Sequence, residues 1–151
     1  MAYQDTYPQF QNTAYPGMIG TMEDWTGFTR TATAQIAFGA PVQRSGDNGC
    51  APLANGGEFT GIARARHLAT SPGDYFVQGD NVPVIDMAGR IRGVADAVIA
   101  VGAAVNWNTA TGRYTTAATS TTVIAVPGAE ADSAATAVGG HFWIRLRRVP
   151  S

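Results

Sequence analysis

The sequence predicts an all-β fold: a compact β-sandwich or barrel over residues 35–151, preceded by an extended N-terminal arm over residues 1–34. Three observations lead there. Short runs rich in Val, Ile, Thr and aromatics recur at roughly 8–12-residue spacing, punctuated by Gly, Pro, Asn and Asp. No long stretch carries the apolar period of an amphipathic helix. No fixed internal repeat appears, which argues against a solenoid.

The arm is read from its aromatics. Tyr3, Tyr7, Phe10, Tyr15, Trp25 and Phe28 are scattered among Gln, Asn, Thr, Pro and Gly with neither a helical nor a strand period. Pro8 and Pro16-Gly17 interrupt any regular element. Such a segment makes no core of its own, yet Tyr and Trp are favoured anchors at protein interfaces. The six aromatics are therefore candidate partner-binding residues, lying on another surface or folded back on their own domain.

From Thr31 onward the pattern is β. Gln35–Val42 reads as one or two short strands, and Ser45-Gly46-Asp47-Asn48-Gly49 as a hairpin turn. Cys50–Leu53 leads to a second turn at Asn55-Gly56-Gly57. Glu58–His67 alternates Ile62, Arg64 and Arg66 with Gly61, Ala63 and Ala65, a small-residue face that lets another backbone approach closely. Ser71–Asp74 is a turn, Tyr75–Val77 a short strand and Gln78–Asn81 a turn. Val82–Asp86 is a strand placed at an edge or bulge, because Pro83 has no N–H for a ladder. Ala88-Gly89 turns the chain into the strand Arg90–Ala95.

Ala97–Val105 is rich in Ala and Val. Its Gly102 and β-branched Val98, Ile99, Val101 and Val105 favour a buried, bent strand over a helix. Trp107–Tyr114 reads as strand, turn, strand. Val123–Val126 is a strand ended by a turn at Pro127-Gly128, and Glu130–Thr136 a loop or single helical turn. In the final strand Phe142, Ile144, Leu146 and Val149 point inward, with His141, Trp143, Arg145 and Arg147 outward. Most pairings are expected to be local hairpins.

Composition narrows the function. Charged residues are only 14% of the chain, well below the usual quarter, which suits a surface covered by partners. The net charge is −1, so the clustered positive field of nucleic-acid binding is not expected. All ten basic residues are Arg. A GC-rich genome explains that, as does a need for planar bidentate pairing across interfaces. Cys50 is the sole cysteine, so no internal disulfide forms. Met1–Asp5 lacks a basic, apolar leader, and no run approaches the about 18 apolar residues of a membrane span. Assembly in a cytoplasm is expected, without membrane contact.

The search for chemistry is mostly empty. There is no phosphate-binding loop, dinucleotide fingerprint, HExxH pair or Gly-x-Ser-x-Gly elbow. Cys50 and His67 are one thiol and one imidazole; a small buried hydrophobe is the better reading of Cys50. Asp47, Asp80 and Asp86 sit in or beside turns without calcium-loop spacing. No catalytic residue, metal site or cofactor is assigned.

The arginines are more suggestive. Arg64/Arg66, Arg90/Arg92 and Arg145/Arg147/Arg148 each put at least two guanidinium groups on one face of a strand. If those strands are neighbours, they form a positive patch for a carboxylate-rich surface or a sister subunit. Arg64, Arg66, Arg90, Arg92, Trp143, Arg145 and Arg147 are the subunit-interface candidates.

One set of motifs carries a resemblance. Gly61-Ile62-Ala63 is followed by Tyr75 and then Gly79-Asp80-Asn81-Val82-Pro83-Val84. Gly89-Arg90-Ile91 and Val101-Gly102-Ala103-Ala104-Val105 precede Thr111-Gly112-Arg113-Tyr114. Over roughly residues 15–148 this resembles the capsid cement proteins of tailed bacteriophages, and more loosely the small trimeric decoration proteins with a β-tulip domain. The resemblance implies a β-tulip-like body and a non-enzymatic virion protein. It implies binding to the exterior of the major capsid protein shell, bridging neighbouring capsomers. It also implies self-association as a homotrimer, with a dimer as the alternative. Two other readings remain open: another virion component (a head fibre base or tail protein), or a carbohydrate-binding β-sandwich using Trp25, Trp107 or Trp143 as a stacking platform.

Overall fold

The computed structural model describes residues 15–20, 25–66 and 73–149. It is all-β, with no helix among the described residues. Among the described residues eleven strands follow in order: β1 (Thr26–Ala32), β2 (Ile36–Ala37), β3 (Pro41–Ser45), β4 (Gly49–Pro52), β5 (Phe59–Ala63), β6 (Tyr75–Phe76), β7 (Asn81–Val94), β8 (Ala104–Asn108), β9 (Arg113–Thr115), β10 (Val123–Ala131) and β11 (His141–Leu146).

One strand organises the rest. β7 is 14 residues long, more than twice the usual strand, and it serves two sheets. Its first half pairs antiparallel with β1 on one side and β5 on the other. The circuit β1-β4-β3-β5-β7 then closes on itself, because β1 also pairs parallel with β4. This is a five-stranded closed barrel. The second half of β7 pairs with β11, which continues the sheet through β10, β8 and β9. That outer sheet curls back, and Tyr114 of β9 meets Ala95, just past β7, in a parallel bridge.

A contiguous apolar core runs through both parts, from Val42, Ile62 and Ile85 to Tyr114, Phe142 and Ile144. Each fully buried large side chain of this kind contributes about 1.5–3 kcal/mol. Tyr114 is edge-on to Trp107 and Phe142, with ring centroids 4.9 and 6.1 Å away.

Several expectations hold. Gly46–Asn48 turn the β3–β4 hairpin, and β8–β9 is the expected strand-turn-strand. Gly61 does admit a close backbone: a Cβ there would sit 2.5 Å from the Ile85 carbonyl oxygen. Phe142, Ile144 and Leu146 are buried as the alternation required.

Others are corrected. Pro83 lies within a doubly paired strand, not at an edge or bulge. Its carbonyl accepts from the Arg64 N–H just beyond the end of β5, so the missing donor falls where that ladder has stopped. Ala88-Gly89 does not turn; β7 runs straight through. Pro127-Gly128 does not end its strand either, but sits in a register shift within β10. Ala97–Val105 is not a buried strand. Only Ala104 and Val105 belong to a strand, at the start of β8, and Ile99 makes an isolated bridge to Ala135, while Val98 and Val101 are 67% and 66% exposed. Val149 lies beyond β11 and is exposed. The dominant pairings of β7 are long-range rather than local hairpins.

The arm boundary also moves. Thr26–Ala32 is a strand of the barrel, so the sheet begins well before residue 35. Tyr15–Gly20 lies along the second half of β7. Gly17 and Gly20 donate to the carbonyls of Arg92 and Arg90, Arg92 donates to Met18, and Ile19 bridges Ile91.

Candidate docking surface

The expected partner-binding aromatics fall into three groups. Tyr3, Tyr7 and Phe10 lie outside the described residues. Tyr15 is half-buried at the start of the segment along β7. Trp25, just before β1, and Phe28, in its first half, are 44% and 37% exposed.

Both exposed rings are matched with arginines. The Arg64 guanidinium lies 5.1 Å from the Trp25 ring centroid, and Arg30 lies 4.9 Å from that of Phe28. A strand presents residues two apart on one face, which puts Phe28 beside Arg30. Nearby, Arg66 stacks on Phe76 at 4.8 Å and pairs with Asp80 at 2.6 Å. Each exposed cation–π contact contributes about 0.5–1 kcal/mol, enough to hold a planar cation in place against a ring. Arg30 was not among the sequence candidates, although its i+2 spacing from Phe28 was the available signal.

The start of β1 is pinned by a three-residue network. Thr26 donates to Asp86 on β7, and Arg148 donates to the same carboxylate at 2.7 Å and to the Thr26 hydroxyl at 3.1 Å. The C-terminal stretch thereby braces the strand that carries Trp25 and Phe28.

The other arginines do not form one bare positive patch. β7 and β11 are neighbours, as that reading required, but carboxylates intervene. Arg90 pairs with Asp132, and Arg147 with Glu130 at 3.0 Å. Arg92 stacks on Trp143 at 4.8 Å, its neighbour in register on β11. Trp143 is half-buried, its ring lying across Gly20 so closely that a Cβ there would meet it at 2.4 Å. Arg145 is exposed, and no ion pair reaches it among the described residues.

The stacking-platform reading loses most of its support here. Trp107 is only 7% exposed, and Trp143 is occupied by Arg92 and Gly20. No group of three or more His, Cys, Asp or Glu that could hold a metal occurs among the described residues. Cys50 is buried, and burial pushes its thiol up while nearby Arg30 pulls it partly back; His67 lies outside the described residues. Of two surface grooves, one is lined by Glu58, Asp86, Arg147 and Arg148 and the other by uncharged residues including Leu53 and Trp107. No helix among the described residues is long and apolar enough to cross a membrane.

A family model described as "Structural cement protein (E217 gp24/Pam3 gp6)" matches residues 3–147, nearly the whole chain. The chain belongs to the structural cement protein family. No curated protein sequence matches it. Among solved structures, a chain of the capsid of Myoviridae phage XM1 shares its fold, with a TM-score of 0.70 at 16% identity over 97% of this chain and 98% of that one. As a cement protein the molecule is a capsid-associated structural component of a virion, and the family implies a structural rather than a catalytic role.

Proposed function

We propose that this cement protein binds the outer surface of the major capsid protein shell and bridges neighbouring capsomers. One observation supports this above the others. At the start of β1, two large aromatic rings remain exposed while each is matched with an arginine. Aromatic and Arg side chains are the residue types enriched at the centres of protein interfaces. Holding them in place beforehand lowers the ordering cost of binding.

Tyr3, Tyr7 and Phe10 extend the same contact on this reading. The face carrying Arg92, Trp143 and Arg145 is then the candidate for self-association as a homotrimer, with a dimer as the alternative. A bridging clamp adds contact area between capsomers without chemistry, and many copies act together.

The test is mechanical. Shells from particles lacking this protein are heated with and without added purified protein, and rupture is followed by release of contents. Rupture at a higher temperature with saturating protein is expected. An unchanged rupture temperature despite bound protein would reject the clamp.

A further inference from the structure

Among the described residues, the first half of β1 has an open edge. The strand pairs with β4 only at Thr31 and Ala32, whereas its pairing with β7 begins at Thr26. The backbone groups of successive strand residues point to alternate sides. Thr31 donates to Asn48, away from β7, while Ala32 donates to Asp80 at the end of β7. By that alternation, the N–H and C=O of Gly27 and Thr29 also point away from β7. No strand pairs with them there among the described residues, and Gly27, Phe28 and Thr29 are all exposed. Pro83, opposite Thr29 in register, fits this arrangement, since a residue without an N–H faces one that asks nothing of it.

Open edges of this kind are normally blunted by charge, proline or a covering element. Thr26-Gly27-Phe28-Thr29 has no charge and no proline. Cations flank it instead: Arg64 on Trp25 at one end and Arg30 on Phe28 at the other, neither with a carboxylate partner among the described residues.

We infer that this edge takes up an extended, carboxylate-bearing segment of the shell protein as an added β-strand. The inference rests on the shell-binding reading. Backbone hydrogen bonds to Gly27 and Thr29 supply the register, over about 13 Å of strand for four residues. Arg30 and Arg64 receive the acidic side chains. A second copy of this chain is a poorer occupant, because antiparallel pairing of β1 with itself brings like-charged arginines towards each other.

The outward direction of the Thr29 N–H gives a clean test. Proline at that position removes the free donor and leaves the bonds to β7 intact. Wild type, Thr29→Pro and Thr29→Ala are added to shells lacking the protein, and melting of each free protein checks its fold. Wild type and Thr29→Ala are expected to bind alike. Thr29→Pro is expected to keep a native melt and lose roughly tenfold or more in affinity, the size of one or two lost backbone bonds. Native-like Thr29→Pro that binds as well as wild type overturns the edge inference and leaves shell binding standing. Wild type that does not bind overturns the shell-binding reading itself.

Amide exchange of wild type decides the matter even if the proline variant fails to fold. The Gly27 and Thr29 amides are expected to slow on shell binding. Unchanged exchange overturns the inference, and so does concentration-dependent protection in the free protein, which assigns the edge to a second copy. The pair Arg30→Gln with Arg64→Gln is expected to flatten the salt dependence of binding; an unaltered salt dependence overturns the carboxylate-bearing partner.

Discussion

The Tyr114 hydroxyl donates a 2.7 Å hydrogen bond to the Gly39 carbonyl, joining residues 75 apart in sequence. Tyr114 belongs to the outer sheet and Gly39 to the loop between β2 and β3 of the barrel, so this bond crosses the junction of the two. Gly39 in turn packs against Gly17 of the segment along β7: a Cβ on Gly39 would lie 2.7 Å from the Gly17 nitrogen. Three parts of the chain meet at this point.

Removing the hydroxyl leaves the Gly39 carbonyl without its side-chain donor in a buried setting. Tyr114→Phe is expected to cost about 1–3 kcal/mol. That lowers the melting temperature by about 3 °C per kcal/mol for a chain of this size. Calorimetry checks it; a melt equal to wild type would mean the bond contributes nothing.

Gly17 and Gly39 both hold positive φ, 77° and 78°, and their backbones approach too closely for any side chain. Gly39→Ala is expected to destabilise by about 2–5 kcal/mol, from left-handed strain plus overpacking. Gly56, also at positive φ but with nothing within 4 Å of its Cβ position, is expected to show only the strain when changed to Ala. Denaturant midpoints for the two variants separate the contributions.

Stability should fall at alkaline pH. Complete burial pushes the Tyr114 hydroxyl well up, and burial pushes the Cys50 thiol up as well. The fold holds both groups neutral, so the unfolded chain releases their protons more readily. Their contribution is whole below the ordinary thiol and phenol ranges, about 8.5 and 10, and is lost as pH rises through the raised folded values. Tyr114→Phe should therefore flatten the decline above about pH 10, measured as denaturant midpoints across pH. An unaltered slope would assign the decline elsewhere.

Cys50 should be chemically silent in the native state, since its side chain is buried and its thiolate disfavoured. A colourimetric disulfide reagent is expected to react only at the unfolding rate. Fast reaction in native buffer would show that the barrel opens locally.

The aromatic contacts divide by experiment. Removing residues 1–14 deletes no described strand residue, whereas Trp25→Ala and Phe28→Ala act on the β1 surface. Each change is expected to reduce occupancy on shells with little effect on melting. Full occupancy after both would place the contact elsewhere on the molecule.

Much of the fold was legible because it is local. The β8–β9 hairpin declares itself through Thr111-Gly112 between alternating runs, and β11 through the burial of Phe142, Ile144 and Leu146. β7 was not, because Pro83 and Ala88-Gly89 look like breaks. A strand continues through such residues when neighbours hold it along its length, and β1 along its first half and β11 along its second lie far away in sequence. Ala97–Val105 misled in the opposite sense, since Val98 and Val101 have no partner strand and stay exposed between the buried Ile99 and Val105. Trp25 and Phe28 were visible as aromatics out of period. Their arginine partners were partly hidden, because Arg64 reaches Trp25 only through the fold. The carboxylates that neutralise Arg90 and Arg148 come from residues 42 and 62 positions away, which no strand pattern reveals.

The most direct test is a cryo-EM map of the particle carrying this protein. The expected result is many copies on the outer surface of the shell, each spanning a junction between capsomers with Trp25, Phe28 and the β1 edge against the shell. Copies confined to the tail or the particle interior, or a β1 surface turned wholly to solvent, would contradict it.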